Sequence, residues 1–128
     1  MKSGHERFAL AQKFAPWALA VYWIILATLT HIPVPAGPPN SDKVLHVGAY
    51  FVLGFLFALT LHTRGFVARK LAITTIAVLF VFAVLDELTQ ELVNRYCDPW
   101  DAAADAVGVL LALGLFFLTK DRLFPAPE

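Results

Sequence analysis

Seven of the chain's ten carboxylates stand in three short stretches at the ends of apolar segments: Asp42, then Asp86, Glu87 and Glu91, then Asp98, Asp101 and Asp105. Carboxylates grouped in this way support proton transfer, capture of a cation, or the anchoring of neighbouring bases. The bases among them are Lys43, His46 and Arg95. His46 with Asp42, or Glu87 with Asp101, has the residue types of a general base and acid. The excess of carboxylates over Lys43 and Arg95 would recruit a divalent metal or shift carboxylate pKa values. Lys43 and Arg95 suit a carboxylate or phosphate, which arginine can hold bidentately. Spacing sorts these residues: Asp42, His46, Tyr50 and Gly54 recur by fours, Asp98, Asp101, Asp105 and Gly108 by threes and fours, and Asp86 or Glu87 shares a side with Gln90. On helices each set forms one stripe. The candidate ligand-binding set is therefore Asp42, Lys43, His46, Tyr50, Asp86, Glu87, Gln90, Arg95, Asp98, Asp101 and Asp105.

The elements that carry these stripes follow from composition. The 128 residues are 59% hydrophobic and 16% charged, with a mean hydropathy of +0.66; soluble domains run nearer about 45–50% apolar and 25% charged. This is the composition of an integral membrane protein. Apolar segments at about 15–32, 44–62, 70–89 and 101–119 each approach the roughly 20 residues that cross a bilayer. An all-α, four-helix transmembrane bundle forming a single domain over residues 1–128 is the expectation. The linkers are short: a proline-rich turn at Ile32–Ser41, His62–Gly65, and Asn94–Pro99. Net charge is zero and no basic run occurs, which excludes nucleic acid as a partner. The single Cys97 excludes an internal disulfide and a cysteine-based zinc site. It reads as a small residue at a helix–loop junction.

Lysine and arginine set the expected orientation. Lys2, Arg7, Lys13, Arg64, Arg69, Lys70, Lys120 and Arg122 fall at one end of the spans, and only Lys43 and Arg95 at the other. The positive-inside rule puts both termini in the cytoplasm and the acidic stretches outside. The first segment has a basic lead, but prolines rather than a cleavage site follow it, so it reads as an uncleaved span. Trp17, Tyr22, Trp23 and Trp100 suit interfacial anchoring or packing.

Fifteen residues separate Lys70 from Asp86, about 22 Å of helix against a hydrocarbon core about 30 Å thick. Asp86 and Glu87 should therefore lie below the outer surface. Ionisable groups at that depth face the bundle interior, so the three stripes should converge on a pocket open to the outside and closed below by apolar side chains. Simpler roles compete at several positions. Asp98 can cap the last helix, with Pro99 in its first turn and Asp101 complementing its dipole; Asp105 lies too deep to cap. Asn40 or Ser41 can cap the second span. His31 reads as interfacial, and His5 and His62 fall on the cytoplasmic side without a role.

The motifs Asp42-Lys43-Val44-Leu45-His46 with Tyr50, Asp86-Glu87-Leu88-Thr89-Gln90, Arg95, Asp98, Asp101 and Gly108 together resemble the VanZ-like membrane proteins over about residues 42–114. Asp105 stands where many members carry asparagine. The resemblance implies a small multi-pass protein of the bacterial inner membrane, in a family whose founding member is associated with resistance to the glycopeptide teicoplanin. It implies an envelope role close to lipid-linked anions. The expected function is that of a binding protein for a lipid headgroup, cell-wall precursor or glycopeptide; the alternative is an intramembrane hydrolase or transferase that uses acid/base groups or a divalent metal on a lipid-linked substrate. A transporter would need an ionisable group near the midplane, where Val47–Leu61, Leu71–Leu85 and Ala106–Leu118 are uncharged.

Overall fold

The computed structural model describes residues 3–33, 41–93 and 98–126. Helices α1 (Gly4–Thr30), α2 (Ser41–Thr63), α3 (Ala68–Gln90) and α4 (Pro99–Leu123) account for most of them, with one 3-10 turn at Glu91–Val93 after α3 and no strand among the described residues. All four helices are long and apolar enough to cross a membrane. Large apolar side chains such as Ile24, Val44, Phe80 and Leu118 point outward. Such a surface suits lipid, in which a helix must satisfy its backbone internally and may leave its side chains apolar.

Three spans match their expected ranges to within a turn; the first is longer than expected. Helix α1 begins at Gly4 rather than near residue 15, because Ser3 and Glu6 form a capping box: Ser3 N donates to Glu6 Oε2 at 2.7 Å and Glu6 N to Ser3 Oγ at 3.3 Å. Two free amides are thereby satisfied, and the polar lead becomes helical. The far end of α4 is held from α1 and α2. Arg7 donates to the carbonyls of Leu123 at 2.9 Å and Arg122 at 3.1 Å, and His62 Nε2 lies 2.9 Å from Phe124 O. These partners occupy carbonyls that have no acceptor role left within the helix. His62, to which the sequence assigns no role, is thus structural.

The central pair is α2 with α4, which run parallel and pack the most extensively. Small residues permit the approach. A side chain at Gly108 would collide with backbone of Val47, Tyr50 and Phe51, and one at Gly54 would meet Ala112 and Val109. Helix α1 lies against this pair through Tyr22, whose hydroxyl donates to Ala49 O at 2.9 Å, and through Trp23, packed edge-on against Phe57 and Phe82. Trp17 and Trp100 are exposed, as interfacial anchors are. Below the polar end, Leu53, Leu79, Val109, Ala112 and Phe116 are buried and form the expected apolar floor.

Candidate functional site

The stripes of α2 and α4 meet rung by rung. At the outer rung Lys43 Nζ donates to Asp98 Oδ2 and to Asp101 Oδ1, both at 2.7 Å, and lies 3.5 Å from Asp42 Oδ2. One turn deeper, His46 Nδ1 lies 2.8 Å from Asp105 Oδ1, with its Nε2 3.7 Å from Asp101 Oδ2. One turn deeper again the backbones touch at Gly108. Asp98 is both a cap and an ion-pair partner, since its Oδ1 accepts from Trp100 N at 3.0 Å while Oδ2 takes Lys43. The Lys43 ammonium, followed by the Trp100 amide, holds the Asp98 carboxyl below its ordinary value of 3.8.

Helix α3 brings two carboxylates by different routes. Glu87 reaches the α4 side, where its Oε2 accepts from Asp98 N at 3.2 Å and its Oε1 from Gln90 Nε2 at 3.3 Å. Asp86 turns toward α1: its Oδ2 accepts from Gln90 at 3.2 Å and its Oδ1 from Thr30 Oγ1 at 2.9 Å, with His31 Nδ1 at 3.7 Å. The Nε2 of His31 lies 2.9 Å from Thr89 Oγ1. Acids at the C-terminal end of a helix oppose its dipole, and these donors offset that.

At the centre, one ligating atom each from His46, Glu87 and Asp105 lies within 4.8 Å of the other two. Asp105 Oδ2 and the Tyr50 hydroxyl are buried there without a hydrogen-bond partner among the described residues. Two clefts border this cluster. One, of about 310 Å³ between α1 and α2, is lined by Leu26, Leu29, Leu45 and Ala49 and by the polar Thr30, Asp42, His46 and Tyr50. The other, of about 80 Å³ between α3 and α4, ends at Asp105.

Of the residues singled out from sequence, Lys43, His46, Glu87, Asp98, Asp101 and Asp105 form one contiguous cluster, with Gln90 bridging Glu87 to Asp86 and Tyr50 just beneath. Asp42 sits at the exposed rim, as does Glu91. Arg95, Cys97, Asn40 and most of the proline-rich turn lie outside the described residues. One expectation requires correction. His31 is not merely interfacial, because with Thr30 it binds α3 through Asp86 and Thr89. Lys43 is held by Asp98 and Asp101, both at 2.7 Å. The signal for His31 and Thr30 was their position at the same end of the bundle as Asp86, which needs donors there.

No curated protein and no solved structure matches the chain. The VanZ/LLP1 family model matches residues 10–120, taking in α2 and α3 whole, most of α1 and α4 and every residue of the cluster, and the chain belongs to that family.

Proposed function

We propose that this membrane protein is a hydrolase or transferase acting on the polar headgroup of a lipid-linked substrate, with His46, Asp105 and Glu87 activating the nucleophile. The observation that carries this reading is the 2.8 Å contact between His46 Nδ1 and the buried Asp105 Oδ1, with Glu87 beside them. An imidazole fixed by one carboxylate and flanked by a second is an arrangement that draws a proton from water or a hydroxyl, directly or through a bound cation. The attacking oxygen loses that proton as it forms the new bond to phosphorus or acyl carbon. The headgroup ester bond breaks, and a proton returns to the departing alkoxide.

The neutralisation of Lys43 by Asp98 and Asp101 favours this reading over simple anion capture. The cleft between α1 and α2 supports a lipid rather than a water-soluble substrate, since an acyl chain laid on Leu26, Leu29 and Leu45 delivers its headgroup to His46. The Lys and Arg distribution supports cytoplasmic termini and an outward-facing site, and family membership supports the bacterial inner membrane and an envelope lipid or lipid-linked cell-wall precursor as substrate. The test is reconstitution into vesicles of phospholipid, with or without lipid-linked precursor, and mass spectrometry of released headgroups. Release by the wild type that is lost in His46→Ala and Asp105→Ala supports the reading; vesicles left intact by a folded wild type refute it.

A further inference from the structure

Asp86, Glu87 and Asp105 retain only 3%, 3% and 1% of their surface exposed. Among the described residues no lysine or arginine touches them; the basic groups they meet are the imidazoles of His31 and His46. Lys43, the nearest ammonium on α2, is engaged by Asp98 and Asp101. Among the described residues, even two protonated imidazoles would leave these three carboxylates, when ionised, short of neutrality, and buried charge without a counter-charge is costly. Two further groups point the same way. Asp105 Oδ2 and the Tyr50 hydroxyl have no hydrogen-bond partner among the described residues, although both residues are almost wholly buried.

We propose that His46, Glu87 and Asp105 bind a divalent transition-metal ion of the zinc or manganese class. One imidazole nitrogen and two carboxylate oxygens suit such ions, whereas calcium and magnesium favour oxygen alone. Ligands about 2.1 Å from one ion at the tetrahedral angle stand about 3.4 Å apart. The three ligating atoms, all within 4.8 Å of one another, therefore close by up to about 1.4 Å of side-chain movement. His46 Nδ1 and Asp105 Oδ1 are joined by a 2.8 Å hydrogen bond that orients both residues, and the longer Glu87 side chain is the arm that closes. Three protein ligands leave a position open for water or a headgroup oxygen, as catalytic rather than structural sites do. The ion brings two positive charges to the buried acids and gives the orphaned Asp105 carboxylate a partner. This rests on the hydrolase reading for its purpose and not for its geometry.

The experiment is calorimetric titration of detergent-purified, chelator-stripped full chain with zinc chloride and with manganese chloride, and metal analysis after desalting. The wild type is expected to retain one ion per chain. Loss of an outer partner of a metal site alone weakens binding about 10–100-fold, so His46→Ala and the near-isosteric Glu87→Gln and Asp105→Asn are each expected to weaken it by about 100-fold or more. Glu91→Gln, at the exposed rim, is expected to bind as the wild type does. Circular dichroism of the stripped variants guards against loss of fold, and the two isosteric changes decide if His46→Ala unfolds. No stoichiometric binding by the wild type, equal binding by all variants, or loss in Glu91→Gln equal to that in Asp105→Asn would overturn the site. Headgroup release that survives complete stripping overturns the metal's part in the reaction and leaves the hydrolase reading standing; a bound metal without release overturns that reading and leaves the metal site standing.

Discussion

Placing alanine at Gly108 tests the contact that sets the site's geometry. The new Cβ would stand 2.9 Å from Phe51 N and 3.2 Å from Tyr50 C, with Val47 O closer still. All three are backbone atoms of a helix, so none can swing aside. Restoring ordinary carbon contacts of about 3.5–4 Å requires α2 and α4 to part by about 1 Å. Overpacking of this kind costs about 1–3 kcal/mol, while replacing glycine in a helix interior returns about 1 kcal/mol. Gly48→Ala supplies the control, since a Cβ there meets nothing within 4 Å. The propensity gain is common to both variants, so their difference isolates the steric cost. Gly108→Ala should be less stable than Gly48→Ala by about 1–3 kcal/mol in reversible unfolding by sodium dodecyl sulfate in mixed micelles. His46 and Asp105 flank this contact by one turn, so their 2.8 Å contact should lengthen and any activity fall with stability. Equal stability of the two variants would refute the view that close approach at Gly108 holds the site together.

Lys43→Met should leave Asp98 and Asp101 facing each other without a cation, lowering the thermal midpoint, and Asp98→Asn in the same background should restore part of the loss. The Asp98 pairing should also appear in the pH dependence of unfolding. Because its carboxyl titrates below the ordinary 3.8, its contribution is full above that value and is lost as pH falls through the lower folded one; the acid limb of wild-type stability should be shallower in Asp98→Asn. Thr30→Val removes a hydrogen bond to a buried carboxylate and should cost about 1.5–3 kcal/mol, read by the same micelle titration. Tyr50→Phe removes a hydroxyl that has no partner among the described residues, so the metal-free protein should unfold no more readily than the wild type; a loss above about 1 kcal/mol would mean the hydroxyl is engaged.

Much of this arrangement was legible before any coordinates. Asp98, Asp101, Asp105 and Gly108 step along one face of α4, and a carboxylate in lipid has few places to go but inward. The same spacing put Asp42, His46 and Tyr50 on one stripe of α2 and Asp86 or Glu87 with Gln90 on α3; Asp42, at the end of its stripe, lies at the exposed rim. Which groups pair was less legible, because pairing depends on how each helix is turned about its axis. That rotation is set by packing such as Gly108 on α2 and Trp23 between Phe57 and Phe82. Lys43 was therefore readable as a base among acids but not as the partner of Asp98 and Asp101 in particular, and Asp86 as buried but not as bound to Thr30 and His31 of α1. The start of α1 was hidden differently. Hydropathy marks where a chain can enter lipid, whereas Ser3 and Glu6 begin the helix in its polar lead.

The most direct test of the functional reading is headgroup release from reconstituted vesicles by wild type and by His46→Ala, with matched circular dichroism. Release by the wild type alone, with both proteins folded, is the predicted result. A folded wild type that releases nothing, or a folded His46→Ala that releases as much, would contradict it.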